Sequence, residues 1–394
     1  MKSEARQVQF VVKTSKLCNL RCRYCYEYLE LGDRTTIALE QLDKMYHHIA
    51  NYYSQIDLKT EIQFVWHGGE PLLQSPDYYW RTFDHQQQIF GELASSVTNV
   101  VQTNLTTLNK ESIRLLSEGF DGVGVSVDLF GGLRVKQSGV DSLLTVLKNM
   151  DRLLNANVSF GCITVLTKLN LSYLQEIFKF YEKMKLHFRI LPLFNGAFEG
   201  QHQGFEITPQ EVLQAFCTLV DMWMESQNMV MILPIMEYIE IILRHYSSDS
   251  QLYFYDKTEW ESIYVVNVNG DIYSYGDAYK PEFCHGNLFQ SPLENIILSP
   301  VHKKVISAAE ERMMSVCTSC QYFGSCSGYP MAEEAIINNQ FDEEGNIDCI
   351  IEKGILKHIE SRLIQSGIIE PISRKINIEQ PKQFPVVSAL DCPL

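Results

Sequence analysis

The sequence predicts an α/β protein: a partial, parallel (β/α)6 TIM-like barrel followed by a small cysteine-rich α+β domain. Three observations carry this expectation. Between Val8 and about Pro192, six short β-rich runs alternate with segments of helical periodicity, the pattern a parallel sheet covered by helices requires. A three-cysteine loop, Cys18 to Cys25, follows directly on the first of those runs. A second cysteine group, Cys317, Cys320, Cys326 and Cys349, lies in a loop-like region near the other end, beyond a hairpin signal.

Taken in order, "VQFVVKT" is the first strand and leads into the cysteine loop. A helix around Leu39–Tyr53, a strand over Glu61–Trp66 and a helix near Tyr78–Phe90 follow. The strand "SVTNVVQT" ends at Thr103, and the helix after it has Asn109 as N-cap and Gly119 as its C′ stop. Gly122–Asp128, Val158–Leu166 and Phe188–Leu193 are the remaining strands. Thr208 to Tyr246 reads as an amphipathic helical bridge. Beyond it, "IYVVNVNGDIYSY" carries Asn269-Gly270 between alternating residues, a two-residue hairpin signal. Cys317–Cys349 is loop-like, Ile350 to about Leu363 helical, and the stretch with Pro371, Pro381, Pro385 and Pro393 an extended tail. The expected domains are therefore a barrel at 1–200, a helical bridge at 201–255, a cysteine-rich domain at 256–364 and a tail at 365–394.

Composition narrows the function. With 394 residues, 45% hydrophobic and 21% charged, the chain is globular and long enough for two or three domains. A formal net charge of −15 argues against general nucleic-acid binding, which needs a basic face. Met1–Phe10 has no apolar core of a signal peptide, and the most apolar long run, Met229–Leu243, is broken by Pro234, Glu237 and Glu240. A cytoplasmic protein with no membrane span is expected, and its eleven cysteines then point to metal binding over disulfides.

Cys18, Cys22 and Cys25 stand at a Cys-x3-Cys-x2-Cys spacing. A cubane [4Fe–4S] core has four iron corners, so three thiolates leave one open, and open coordination is where a metal centre does chemistry. Tyr24 places an aromatic residue beside that corner. The alternative, a zinc knuckle, is one ligand short, because no histidine stands nearby. "HGGEP", His67 to Pro71, follows a strand directly. Its Gly68 and Gly69 allow close approach to a ligand, and Glu70 offers a carboxylate.

"CNLRCRYCYEY" followed by "HGGEP" resembles the radical S-adenosylmethionine (SAM) enzymes. The resemblance implies that the open iron chelates SAM and that an electron from the cluster cleaves it to a 5′-deoxyadenosyl radical, which abstracts hydrogen from a substrate. It further implies an external electron donor of flavodoxin or ferredoxin type. The segment Gly68, Gly69 and Glu70 would meet the SAM amino group. Ser126 and Arg134 would meet its carboxylate, with Arg134 equally readable as an ordinary solvated arginine. Asn104 and Leu191 would border ribose and adenine, Leu191 being readable as simple core. The cysteine loop, "HGGEP", Asn104, Ser126 and Leu191 all fall at or just beyond strand ends, where barrel sites collect.

The second cysteine set is similar to the C-terminal SPASM domain of radical SAM peptide maturases. Four thiols close a cluster completely, which suits electron transfer or structure, and a zinc site is the alternative. The fuller family pattern has cysteines where this chain has Tyr275, Ser291 and Pro330, and Cys284 alone could not rebuild that further cluster. Two [4Fe–4S] clusters are therefore expected. Related maturases also carry an acid near Asp277, implying a catalytic base there, against a plain turn residue. His67, His187 and His285 read as structural, and Cys162 and Cys217 as buried small hydrophobes.

Within the resemblance, the chain is most similar to maturases of ribosomally made precursor peptides, the cyclophane-forming group first. The alternative is an anaerobic sulfatase maturase, which oxidises Cys or Ser to formylglycine. From another class, the rival is a non-catalytic, metal-stabilised peptide-binding module. Cys18 lies too near the start for a separate N-terminal recognition domain, so the precursor peptide would be held by this chain or by a partner.

Overall fold

The computed structural model describes residues 6–193, 200, 203–228, 230–247, 250–274, 280–333 and 340–370. The expected tail from Pro371 onward, Tyr275 and Asp277 lie outside these residues.

The first half alternates as the pattern requires: β1 (Arg6–Ser15), α1 (Leu39–Tyr53), β2 (Thr60–Gly68), α2 (Pro76–Phe90), β3 (Val97–Thr103), α3 (Lys110–Glu118), β4 (Gly122–Ser126), α4 (Leu143–Asn155), β5 (Gly161–Leu166), α5 (Leu174–Met184) and β6 (Phe188–Pro192). Each neighbouring pair from β1–β2 to β5–β6 is parallel, so the C-terminal ends of all six strands share one edge. Side chains alternate across a strand. Val8, Phe10 and Val12 of β1 therefore turn to the helices, where Phe10 stacks on Phe64 and meets Tyr53 edge-on. Gln9 and Lys13 turn the other way. Gln9 donates to Gln63 at 2.6 Å, and the Lys13 ammonium is buried against the Glu27 carboxylate.

Helix boundaries follow local chemistry. Ser75 accepts from the Tyr78 amide with Pro76 behind it, and Asn109 accepts from the Ser112 amide at 2.8 Å, the expected cap. Gly119 differs from expectation. Its backbone is right-handed, with φ −104°, so no left-handed stop is made there. A Cβ would stand 2.9 Å from Leu115 Cδ1 and 3.0 Å from Trp80, so packing is what leaves no room for a side chain.

The second half contains α6 (Pro209–Glu225), β7 (Ile232–Leu233), α7 (Ile235–Tyr246), β8 (Ile263–Val266), β9 (Asp271–Ser274), β10 (Gly286–Asn287), α8 (Leu293–Ile297), α9 (Pro300–Cys317), α10 (Tyr329–Glu333) and α11 (Ile350–Gln365). Within the bridge, β7 adds a parallel partner to β6, and β8 pairs in parallel with β1. Among the described residues one sheet of ten strands results, in the order β10-β9-β8-β1-β2-β3-β4-β5-β6-β7. The β8–β9 hairpin is not closed by a two-residue turn. Gly270 donates to the Asn267 carbonyl at 2.8 Å and has φ +90°, so the turn is centred on Val268 and Asn269 with Gly270 left-handed after it. Helix α9 lies before the region read as loop. Its signal was present in the sequence: Ser299 accepts from the His302 amide with Pro300 at the first helical position.

α11 packs on α6 and α7, where Glu360 accepts from the hydroxyls of Tyr246 and Tyr322 at 2.8 and 2.7 Å. No helix among the described residues is long and apolar enough to cross a membrane.

Candidate functional site

Parallel pairing brings the loops after β1 to β6 to one edge. The loop after β1 carries Cys18, Cys22 and Cys25, packed together with Leu20 and Leu31. It is held by short-range bonds: Cys18 N–H donates to the Leu31 carbonyl, Cys25 N–H to the Cys22 carbonyl, and Arg21 Nη1 to the carbonyls of Cys18 and Leu20, both at 2.7 Å. Residues 20–23 also run beside the segment after β4, with Arg21 N–H on the Val135 carbonyl and Arg23 N–H on the Leu133 carbonyl. Burial pushes the Cys18 and Cys25 thiols up to about 12, a state that a metal reverses by replacing their protons.

"HGGEP" ends β2 against this loop. Gly68 has φ +116°, and a Cβ there would stand 2.2 Å from the Ser15 carbonyl oxygen; at Gly69 it would stand 2.3 Å from those of Lys16 and Leu17. Gly69 N–H donates to the Ser15 carbonyl and Glu70 N–H to that of Leu17. The glycines thus admit a close approach, but to the chain's own backbone at Ser15 to Leu17, just before Cys18. Glu70 is buried at 2% exposure and its carboxylate is engaged. It accepts from the Leu72 amide (3.0 Å), the Thr103 hydroxyl (2.6 Å) and the Asn104 amide (2.7 Å), clamping the end of β2 to the end of β3. Burial raises its pKa despite those bonds. Asn104 Nδ2 lies 3.7 Å from Cys18 Sγ and donates to Asn19 Oδ1 at 3.0 Å.

Asp128, just past β4, organises the other side. Its Oδ2 accepts from Tyr24 Oη at 2.5 Å and from Arg134 Nε at 2.8 Å, and its Oδ1 from the Val165 amide at 2.9 Å. Arg134 Nη1 is 3.8 Å from Cys22 Sγ, so the arginine joins the cysteine loop to the β4 loop and is not a solvated one. Ser126 Oγ accepts from Gln102 Nε2 at 2.7 Å, while Gln102 Oε1 is buried with no hydrogen-bond partner. Leu191, on β6, is half-buried at the same edge.

In the C-terminal region Cys317, Cys320, Cys326 and Cys349 line one cavity with Glu352 and Lys353. Burial pushes the Cys317 thiol up to about 12 and Cys326 up to about 11. Pro330 lines the same cavity, and Ser291 donates its amide to the Asn287 carbonyl. Cys284 donates to the Gly286 carbonyl at 3.3 Å. Among the described residues no three His, Cys, Asp or Glu side chains converge closely enough to share a single metal ion. A zinc ion needs that convergence, whereas a cubane takes one thiolate per iron and spreads its ligands around a larger body.

Residues 12–181 match the family model described as the Radical SAM superfamily. Those residues are a radical SAM domain. A serine-type anaerobic sulfatase-maturating enzyme of Bacteroides thetaiotaomicron is 22% identical over 347 residues, covering 82% of this chain and 82% of its own. Native anSMEcpe with bound AdoMet and Cp18Cys peptide has a TM-score of 0.72 at 19% identity, covering 93% of this chain and 99% of its own. Streptococcus suis SuiB bound to precursor peptide SuiA has a TM-score of 0.55 at 13% identity, over 84% and 75%. The structural likenesses show the fold; the chain is an enzyme that carries a radical SAM domain at residues 12–181 and is similar to anaerobic sulfatase maturases.

The radical SAM domain's residues fit the groups this family uses. One loop supplies three thiols packed together, and the orphaned Gln102 Oε1 offers a buried acceptor beside Ser126. Asp128, Gln102, Thr103 and Asn19 were not singled out from the sequence. The signal available for Asp128 was its place two residues beyond the end of β4, as Glu70 stands two residues beyond the end of β2. The histidines read as structural have protein partners: His67 Nδ1 accepts from Gly68 N–H, His187 Nδ1 from Met231 N–H, and His285 Nε2 from Ser274 N–H. Cys162 is buried, and Cys217 is half-buried.

Proposed function

We propose that this radical SAM enzyme oxidises a side chain of a peptide, with conversion of Cys or Ser to formylglycine as its leading reaction. The observation that carries the reading is the extent of the relationship to a serine-type sulfatase-maturating enzyme. It runs over 82% of both chains and so extends beyond the radical SAM match at residues 12–181. Cys18, Cys22 and Cys25 would hold a SAM-binding [4Fe–4S] cluster, and Cys317, Cys320, Cys326 and Cys349 a second one in a SPASM-type domain. When bound, SAM at a reduced cluster supplies a hydrogen-abstracting radical.

The chain's own residues would orient and enclose that chemistry. Tyr24, Asp128 and Arg134 fix the cysteine loop against the β4 loop. Glu70 and Asn104 fix its opposite flank, and Glu70 keeps part of its acceptor capacity for an ammonium group, since three bonds leave about one of four lone-pair sites. Ser126 and Leu191 would border the bound nucleoside and carboxylate. Asp277 would serve as a proton acceptor. An external flavodoxin- or ferredoxin-type donor would supply the electron.

A second reading, a cyclophane-type carbon–carbon cross-link in a precursor peptide, is favoured by one observation. Ser291 and Pro330 occupy positions where the maturase pattern has cluster cysteines, and Pro330 lines the four-cysteine cavity itself. The test is anaerobic incubation with SAM, a reductant and either a Ser- or Cys-bearing peptide or a short precursor encoded beside the gene. Production of 5′-deoxyadenosine with an aldehyde trapped by a hydrazide supports oxidation. Loss of two hydrogens with no trapped aldehyde supports the cross-link. No 5′-deoxyadenosine under any reducing condition would sink both.

A further inference from the structure

We propose that the outer face of the cysteine loop, formed with residues 133–142 and the start of α4, docks a flavodoxin-type carrier, a small acidic protein that gives up one electron. The inference rests on the reading that Cys18, Cys22 and Cys25 hold the SAM-binding cluster, which receives that electron from outside.

Residues 20–23 are the inner strand of a short ribbon. Arg21 N–H donates to the Val135 carbonyl, Arg23 N–H donates to that of Leu133, and Leu20 bridges Lys136. The chain then turns back, with Val135 bridging Asp141 and Lys136 N–H on the Val140 carbonyl. Paired strands lie about 4.8 Å apart, so the ribbon stands only one or two strands from the chain that bears the thiols. Electron transfer weakens steeply with distance, which favours entry over such a thin cover. An open cavity of about 410 Å³ lies here, lined by Asn19 and Leu20 of the loop, Thr106, residues 136–138 and Thr145 of α4. A concave site suits a group that projects from its carrier, as the edge of a flavin does, better than a cluster enclosed in protein.

Charge selects the carrier. The chain has a formal net charge of −15 and repels an acidic protein over most of its surface. Residues 19–23 and 133–148 instead carry Arg21, Arg23, Lys136 and Lys148, besides the Asp128-paired Arg134, against the single acid Asp141. Arg23, Lys136 and Lys148 are exposed. Apolar contact is available beside them. Leu144 is 83% exposed, the most of any large hydrophobic side chain among the described residues, and Val140 is 59% exposed. Leu144 and Lys148 lie one turn apart on α4 and so share a face.

The experiment uses the full chain with reduced flavodoxin as the probe. Dissociation constants are measured by calorimetry, and 5′-deoxyadenosine is measured with flavodoxin and, separately, with dithionite, a small reductant that needs no docking. Lys136→Glu with Lys148→Glu should weaken binding about tenfold or more at low salt and slow the flavodoxin-driven reaction, while the dithionite-driven one holds. Lys303→Glu with Lys304→Glu makes the same change in net charge on α9, which packs on α8 and α10, and should weaken binding far less. Added salt should shrink the Lys136 and Lys148 effect, but not the weakening caused by Leu144→Ala. Circular dichroism and iron content check that each variant is folded and loaded. Equal losses from the two lysine pairs, or none from either, overturn the proposal, as does a response to an acidic ferredoxin alone. Absence of 5′-deoxyadenosine from the unaltered chain with dithionite overturns instead the cluster reading on which it rests.

Discussion

The loop of Cys18, Cys22 and Cys25 and the cavity of Cys317, Cys320, Cys326 and Cys349 differ in what surrounds the sulfur. Around the first, beside Leu20 and Leu31, polar neighbours come from other strand ends: Asn104 lies 3.7 Å from Cys18 Sγ and Arg134 3.8 Å from Cys22 Sγ. Around the second, the cavity walls include Val316, Phe323, Met331 and Leu356, and the one acid is Glu352. Three thiols among hydrogen-bonding groups suit a site that must also bind a polar ligand. Four thiols in a largely apolar cavity suit a centre whose ligands are all supplied by the chain. The contrast teaches that ligand count and surroundings vary together here.

The largest test of the contrast removes the first set. Cys18, Cys22 and Cys25 changed together to Ala should abolish 5′-deoxyadenosine formation while leaving a folded, iron-containing chain. Retained cleavage of SAM would make the two sites equivalent and break the distinction.

Next in size is Asp128→Ala, which leaves the Arg134 guanidinium, 12% exposed, without its carboxylate. Removing one partner of a buried ion pair costs about 3–5 kcal/mol. Denaturant melts should show that loss. The iron of the three-cysteine site should fall and that of the four-cysteine site should hold, because the tether reaches only the first loop.

The C-terminal region should carry the acid sensitivity. Burial and the neighbouring His302 bring His285 down to about 3, so below its ordinary value near 6.5 the unfolded chain binds a proton that the folded chain refuses. Stability is therefore present above about pH 6.5 and lost as pH falls toward 3, by about 2–4 kcal/mol at pH 4. Burial pushes Glu261 up, but Lys257 and His302 outweigh it and hold it at about 2, adding a loss between about pH 4.5 and 2 in the same direction. His285→Gln should flatten the thermal midpoint between pH 6.5 and 4. An unchanged pH profile would place the sensitivity elsewhere.

The smallest effect sharpens the role of the glycines. Gly69→Ala drives a Cβ to within 2.3 Å of two carbonyl oxygens and must displace the segment leading to Cys18. A cost of about 1–3 kcal/mol is typical of such overpacking. Partial loss of iron from the three-cysteine site, with a small shift in melting, is the expected result. Wild-type iron and melting would mean that the backbone yields freely there.

Local pattern made much of this legible. Period-2 and period-3.6 runs gave the six parallel strands and their helices, since those periods follow from where each backbone points its side chains. Because parallel strands end together, the motifs at Cys18, Gly68, Asn104 and Ser126 could be assigned to one edge before any contact was known. Thiol spacing likewise singled out the four cysteines that line one cavity.

Other features depended on residues far apart in sequence. That Glu70 is spent on Thr103 and Asn104, that Gly68 and Gly69 make room for Ser15 to Leu17, and that Arg134 answers to Asp128 and Cys22 are facts of through-space packing. The same holds for β8, which reads locally as the start of a separate domain and yet completes the edge of β1. A strand's sequence determines which faces are apolar. Which edge satisfies its backbone hydrogen bonds is decided only when the chain is folded, because any exposed edge of matching length offers the same donors and acceptors.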